Sequence, residues 1–322
     1  MDFRLEFDPP SLSRKIDLDE KIMLVGSCFT EHVYNYLVGS KFCALQNPNG
    51  ILFNPSSIAR ALRRYVENKH ILSSELFEQN SLWNHWDFHS SLSCPSQEES
   101  LLRINETISS AHSFLKDAQW LIVTLGSAYV YELNEDQIVA NCHKMPASVF
   151  TKRLLDPEEI ISTYATLIDK LKQFNNTLDI IFTISPVRHL RDGFVENNRS
   201  KAVLIHAVDK LTKQHEHLHY FPSYELVVDD LRDYRFYAED MVHPNYQATR
   251  YVWEKFCIAA INGRSREVMK EFHQLNMAFQ HKPMHPNSTE HIKFRNKYKE
   301  MAQSLAARFP SIDLSKEINH FS

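Results

Sequence analysis

The sequence predicts an α/β fold: a doubly wound, flavodoxin-like three-layer sandwich around a parallel sheet, with a C-terminal helical extension. Three observations carry this. Short apolar runs at 22–25, 120–125, 179–184 and 218–221 alternate with segments of helical period. The connections are too long for hairpins, so successive strands run parallel. Glycine is scarce, with 6 in the chain, and Gly26, Gly50 and Gly126 fall where strand-like runs end. Such places need backbone freedom or close approach to a ligand.

Residues 1–20 are polar and proline-bearing, which suits a surface lead-in to an α/β domain over 21–262. The first unit is KIMLVGSCFTEHVYNYL, residues 21–37. Its apolar run stops at Gly26-Ser27-Cys28, and Phe29, Val33, Tyr36 and Leu37 then recur at helical spacing. A second strand is expected at 42–45, followed by the amide-rich NPNGILFNP turn at 47–55. Ser56 or Ser57 caps a helix to about 67. Residues 70–100 read as irregular, with Trp83 and Trp86 as core candidates, and a helix at about 98–116 leads into the strand at 120–125. A hairpin is expected at 129–133 and 137–141 across Asn134-Glu135-Asp136. Asp156-Pro157-Glu158-Glu159 starts a helix to about 174, and further helices cover about 196–215 and 244–261. Beyond residue 263 the pattern is charged and helical, over 267–280 and 289–308, giving the extension at 263–322.

Composition narrows the function classes. With 43% hydrophobic and 24% charged residues, the chain is expected to be soluble and able to bury a sizeable core. A net charge of −4 gives no general attraction to nucleic acid or an anionic membrane. No apolar run reaches the length of a membrane span, and the N-terminus lacks the layout of a signal peptide. The 5 cysteines are scattered and never form CxxC, which suits free thiols in a cytoplasmic protein and no zinc ribbon.

In an open parallel sheet, ligands bind at the carboxyl ends of the strands. Ser27 lies there, its N–H at or near a helix N-terminus, as a nucleophile or as a helix cap. A serine nucleophile needs a base, and the base needs an anion to fix its tautomer. Asp240 and His243, three apart in DMVHPN, supply both from one turn.

These segments together bear a resemblance. GSCFT resembles the motif that names the GSCFA family, distantly related to the SGNH/GDSL hydrolases. NPNGILFNP, WDFHSS, TLGSAYVY, NCHK, SPVRHLRDG and RDYRFYAEDMVHP also fit its pattern, with Thr30 in place of the motif's alanine. The resemblance implies an SGNH-like serine esterase or O-acyltransferase with a triad of Ser27, His243 and Asp240. It also implies oxyanion donors at the backbone N–H groups of Ser27 and Gly50. The third SGNH block, Gly-x-Asn, reads Gly126-Ser127-Ala128 here, so its amide donor is absent. Losing one such donor typically costs about two to three orders of magnitude in rate. Asn47, Asn49, Asn54 and Asn141 stand as alternative sources of the amide. The implied partner is a small-molecule ester or an acylated carbohydrate, and no cofactor is needed. A non-catalytic binding module that keeps the pocket is the alternative.

Other candidates have narrower roles. Cys28 adjoins Ser27, but neighbours in a turn point apart, and the expectation is a packed thiol. Arg188 and His189 follow a strand and suit an anionic substrate group. His89 and His143 lie in loops placed for substrate contact. His215, His217 and His219 alternate without a carboxylate or cysteine partner, so no metal site is expected.

Overall fold

The computed structural model describes residues 5–133, 137–285 and 288–322. Five parallel strands make the central sheet: β1 (Lys21–Gly26), β2 (Cys43–Gln46), β5 (Trp120–Leu125), β9 (Asp179–Ile184) and β10 (Leu218–Phe221). Their order across the sheet is β2-β1-β5-β9-β10. The chain steps from β1 to β2 on one side and then crosses to β5 on the other. The topological switch therefore falls between β1 and β5, where open α/β sheets bind ligands.

Alternation along the strands builds two cores. Ile22, Leu24, Trp120, Ile122 and Ile181 face one way, while Met23, Val25, Leu121, Val123, Ile180 and Phe182 face the other. The first face is covered by α1 (Phe29–Gly39). The second carries α2 (Pro55–Glu67), α3 (Gln97–Lys116), α4 (Pro157–Phe174) and α5 (Phe194–Thr212). The first core is completed by α6 (Tyr246–Ala260), α7 (Gly263–Phe279), α8 (Thr289–Arg308) and α9 (Ser315–His320). Phe272, Leu275, Leu305 and Phe321 of the C-terminal segment are buried in it. Each such side chain stabilises by about 1.5–3 kcal/mol, so the extension shares the core of the sheet. None of the described helices is long and apolar enough to cross a membrane.

Several local expectations need correction. Asn54, not Ser56 or Ser57, caps α2: its side chain accepts the Ser57 N–H, and Pro55 takes the first helical position. The stretch at 70–100 contains a short hairpin, β3 (Phe77–Gln79) with β4 (Leu82–Asn84). The hairpin expected at 129–133 and 137–141 exists as β6 (Tyr129–Leu133) with β7 (Gln137–Val139), the expected turn at 134–136 lying outside the described residues. A third strand, β8 (Phe150–Leu154), joins it on the other side of β6. The lead-in is anchored: Leu12, Ile16 and Leu18 are buried, and Ile16 bridges to Ile261.

Candidate active site

The strand ends at the switch point are tied together by main-chain bonds. Gly26 closes β1 at φ +139°, and a Cβ there would meet the Thr124 carbonyl oxygen at 2.1 Å. Only glycine fits. The Gly26 N–H donates to Asn47 Oδ1 at 2.8 Å, and the Leu52 N–H donates to the Gly26 carbonyl at 3.0 Å. The N–H groups of Gly126 and Ser127, after β5, both donate to the Phe53 carbonyl, at 2.8 and 3.0 Å. The 47–54 loop thus joins the ends of β1 and β5.

Beneath this edge lies a residue the sequence reading passed over. Lys201 is 1% exposed and donates to the carbonyls of Gly126 and Ser185, each at 2.6 Å. Burial pushes its pKa down to about 7. A neutral amine has two N–H donors for two carbonyls, whereas an ammonium would bury a third donor as well as a charge. The available signal was spacing: Asn197, Lys201, Leu204 and Val208 share the buried face of α5.

Asp240 and His243 pair as their spacing suggests. Asp240 Oδ2 lies 2.6 Å from His243 Nδ1, while Oδ1 accepts the N–H groups of Val242 and His243 at 2.9 and 3.0 Å. Those backbone donors and the ring hold the carboxyl down to about 2. Asp240 therefore stays ionised and favours the Nδ1–H tautomer, leaving Nε2 to accept a proton. Both side chains are about half exposed, at 49% and 47%. The turn is held to the loop after β9 by the Arg188 N–H, which donates to the Val242 carbonyl at 3.2 Å.

No direct hydrogen bond joins Ser27 to His243 among the described residues. Ser27 is 0% exposed, and its Oγ has no hydrogen-bond partner among the described residues. The Ser27 N–H donates to the Thr124 carbonyl at 3.0 Å and the Gly50 N–H to the Asn47 carbonyl at 2.7 Å. Both expected oxyanion donors are thus engaged by the main chain. Cys28 packs against the first core as expected, partly buried where α1 begins, while Ser27 is the fully enclosed member of the turn.

The remaining candidates separate into cavity and scaffold. Asn54, His89, Ser127, Asn141 and His189 line one cavity of about 380 Å3, together with Phe53, Tyr129, Tyr131, Lys152 and Arg191. Asn54 and Asn141 use their side-chain oxygens on backbone N–H groups of Ser57 and His143, which leaves their amide nitrogens for the cavity. Asn49 is committed elsewhere, its Nδ2 donating to the Asp87 carbonyl and its Oδ1 accepting the Tyr65 hydroxyl. Asn47 holds the Gly26 N–H. His89 packs over Gly50, where a Cβ would meet the His89 Cβ at 2.2 Å. Burial drives the His189 imidazole down to about 4, with Lys201 and His243 adding to the effect. His189 is therefore neutral, and it connects the cavity to the surroundings of His243.

Two candidates leave the cavity wall. His143 is 7% exposed and bonds through Nε2 to the His85 carbonyl at 2.9 Å, beside Phe77 and Trp86. The Arg188 guanidinium lies over Tyr234 and Tyr237, at 5.2 and 4.3 Å from their ring centres, and so braces the segment leading to His243. Lys152 was missed because strand β8 went unread, whereas Tyr129 and Tyr131 lie on the expected strand β6 with no local signal that they face a cavity. Lys152 pairs with Asp192 and covers the Tyr129 ring at 4.4 Å.

None of the curated proteins matches the chain. Similar solved structures include a carbohydrate esterase family 3 protein from Talaromyces cellulolyticus, at 10% identity and TM-score 0.37, covering 78% of this chain and 99% of that one. An acetyl esterase mutant with an acetate ion matches at 11% and 0.36, covering 78% and 99%. An acetyl xylan esterase from the rumen bacterium Butyrivibrio proteoclasticus matches at 13% and 0.37, covering 77% and 63%. The model of the GSCFA family matches residues 21–256, and that of the GSCFA domain protein C-terminal domain matches 272–322. The chain belongs to the GSCFA family.

Proposed function

We propose that this protein is an acyl hydrolase or O-acyltransferase acting on an oxygen ester of a small molecule or carbohydrate. The nucleophile comes from the turn that opens α1. The observation that carries the reading is the Asp240–His243 pair, 2.6 Å apart, at the carboxyl edge of the sheet. His243 takes the nucleophile's proton at Nε2 and returns it to the departing alkoxide, while Asp240 holds the ring and offsets the imidazolium charge. Among the described residues, the N–H groups of Cys28 and Phe29 are bonded to no main-chain carbonyl. As N–H groups at a helix start, they suit a developing oxyanion. The cavity would take the acyl or alcohol portion, with the amides of Asn54 and Asn141 as polar contacts and the Tyr129 and Tyr131 rings as flat apolar ones. Transfer and hydrolysis differ only in whether an alcohol or water attacks the acyl-enzyme.

A panel of short and long acyl esters, including O-acetylated sugars, tests the reading on the purified chain. The expected result is turnover of at least one ester class. A second reading, a binding module, draws on Ala128, which stands buried where the SGNH pattern carries an amide. Retention of acylated sugars with no turnover across the panel would favour that reading.

A further inference from the structure

The proposed function leaves open which atom of the turn attacks, and two adjacent residues carry nucleophilic groups. Their surroundings differ sharply. Ser27 is sealed: a Cβ on Gly126 would lie 3.2 Å from the Ser27 Cβ, and the Ser27 N–H is held by Thr124. Ser27 touches no solvent, so no acyl group reaches its Oγ unless the ends of β1 and β5 separate. Cys28, one residue on, is partly exposed.

The groups around Cys28 are those an acyl transfer needs. Burial and Glu31 push its thiol up, while the N–H groups of Cys28 and Phe29 favour the thiolate. His32 lies one helical turn further along α1, on the same face. Val242, the neighbour of His243, packs against the same hydrophobic core as Cys28, which puts the Asp240–His243 turn and the start of α1 on the same side of the sheet. The His189 N–H is held by the Asn197 side chain, and its ring packs edge-on to Phe53. The His189 Nε2 is buried with no hydrogen-bond partner among the described residues.

We propose that Cys28 Sγ is the attacking atom and that the acyl-enzyme is a thioester. This rests on the acyl-transfer reading above. His243 Nε2 accepts the thiol proton as sulfur bonds to the ester carbon, and the carbonyl π electrons move onto oxygen. The tetrahedral intermediate collapses with breakage of the C–O bond, and the alkoxide leaves with the proton from the imidazolium. Water or an acceptor alcohol, deprotonated by His243, then attacks the thioester carbon. The C–S bond breaks, and sulfur recovers its proton from the imidazolium. No oxidant, reductant or metal enters the balance. Because burial and Glu31 hold the thiol protonated, the step needs His243 as a base and does not run from a standing thiolate.

Chemistry separates a thioester from an ester without relying on any variant. The full-length protein is mixed with p-nitrophenyl acetate, quenched in acid, and its intact mass is read before and after neutral hydroxylamine. The expected result is an added acetyl group that neutral hydroxylamine removes and that Cys28→Ala does not acquire. His243→Ala should acquire it about 10²-fold more slowly or worse. An adduct that resists neutral hydroxylamine and disappears in Ser27→Ala would overturn the inference and leave the acyl-transfer reading standing. No adduct and no ester turnover in the folded wild-type protein would overturn both. Iodoacetamide supplies a check on the thiol itself: alkylation at Cys28 should slow in His243→Ala. Alkylation of Cys28 at the same rate in wild type and His243→Ala would count against the inference.

Discussion

The two halves of the site are built in opposite ways. The strand-end half, made of Gly26, Ser27, Gly126 and Lys201, is buried and bonded through the main chain, with a lysine placed under two carbonyls. The loop half, Asp240 and His243, is about half exposed and held by a carboxylate that accepts two N–H groups of its own turn. One half fixes a position in space, and the other, on the proposed reading, supplies the group that takes up and returns a proton. Rigidity and reactivity are thus assigned to different segments, which meet where Arg188 bonds Val242. Substitutions in the first half should therefore be read in stability, and substitutions in the second in rate.

The largest stability effect is expected at Gly26. Alanine there requires a left-handed φ and a Cβ 2.1 Å from the Thr124 oxygen. Gly26→Ala should lose about 3 kcal/mol or more in chemical unfolding, or fail to fold. A smaller loss would mean that the β1 and β5 ends part easily, and the contrast between the halves would weaken.

Lys201 comes next, and its effect depends on pH. The folded-state pKa is pushed to about 7 from an unfolded value of 10.5. Between those values the unfolded chain holds a proton that the folded chain does not, so stability rises with pH across that window. The burial penalty is full below about 7 and gone above 10.5. Lys201→Met removes the penalty and also leaves two carbonyls unbonded, at about 1–3 kcal/mol each. Wild type should therefore exceed the variant by most near pH 10 and by least near pH 6, measured as unfolding midpoints. A gap that does not change with pH would show that Lys201 keeps its proton when buried.

The smallest stability effect belongs to Asp240→Asn. The side chain is exposed, so the unfolding midpoint should stay where it is. Ester turnover should nevertheless fall by about 10²- to 10⁴-fold, because an amide no longer fixes the Nδ1–H tautomer. Asp240 remains ionised down to about pH 2, so Asp240 should contribute no acid limb to the wild-type profile above that pH. A second acid limb, abolished in Asp240→Asn, would contradict that division.

How much of this was legible in the sequence follows from how local each signal is. Strands β5 and β9 are continuous apolar runs, as strands buried on both faces must be, and they were readable at once. Asp240 and His243 were readable because the partners sit on one turn. Strand β8 was missed because Lys152 and Arg153 sit in a five-residue segment with no apolar alternation, and its pairing with β6 is set by tertiary contacts. The Ser56 or Ser57 cap lost to Asn54, whose position before Pro55 is the stronger start signal. Which of Ser27 and Cys28 faces outward was beyond the sequence. That depends on the φ of Gly26 and on the distance to Gly126, and neither is encoded within the turn.

The claim that joins the two halves is that His243 activates a nucleophile at the start of α1. It is tested most directly by kcat/KM of wild type and His243→Ala on the best ester of the panel, each with its unfolding midpoint. The account predicts a fall of about 10³-fold or more with the midpoint unchanged. Turnover within a few-fold of wild type in a folded His243→Ala protein would contradict it.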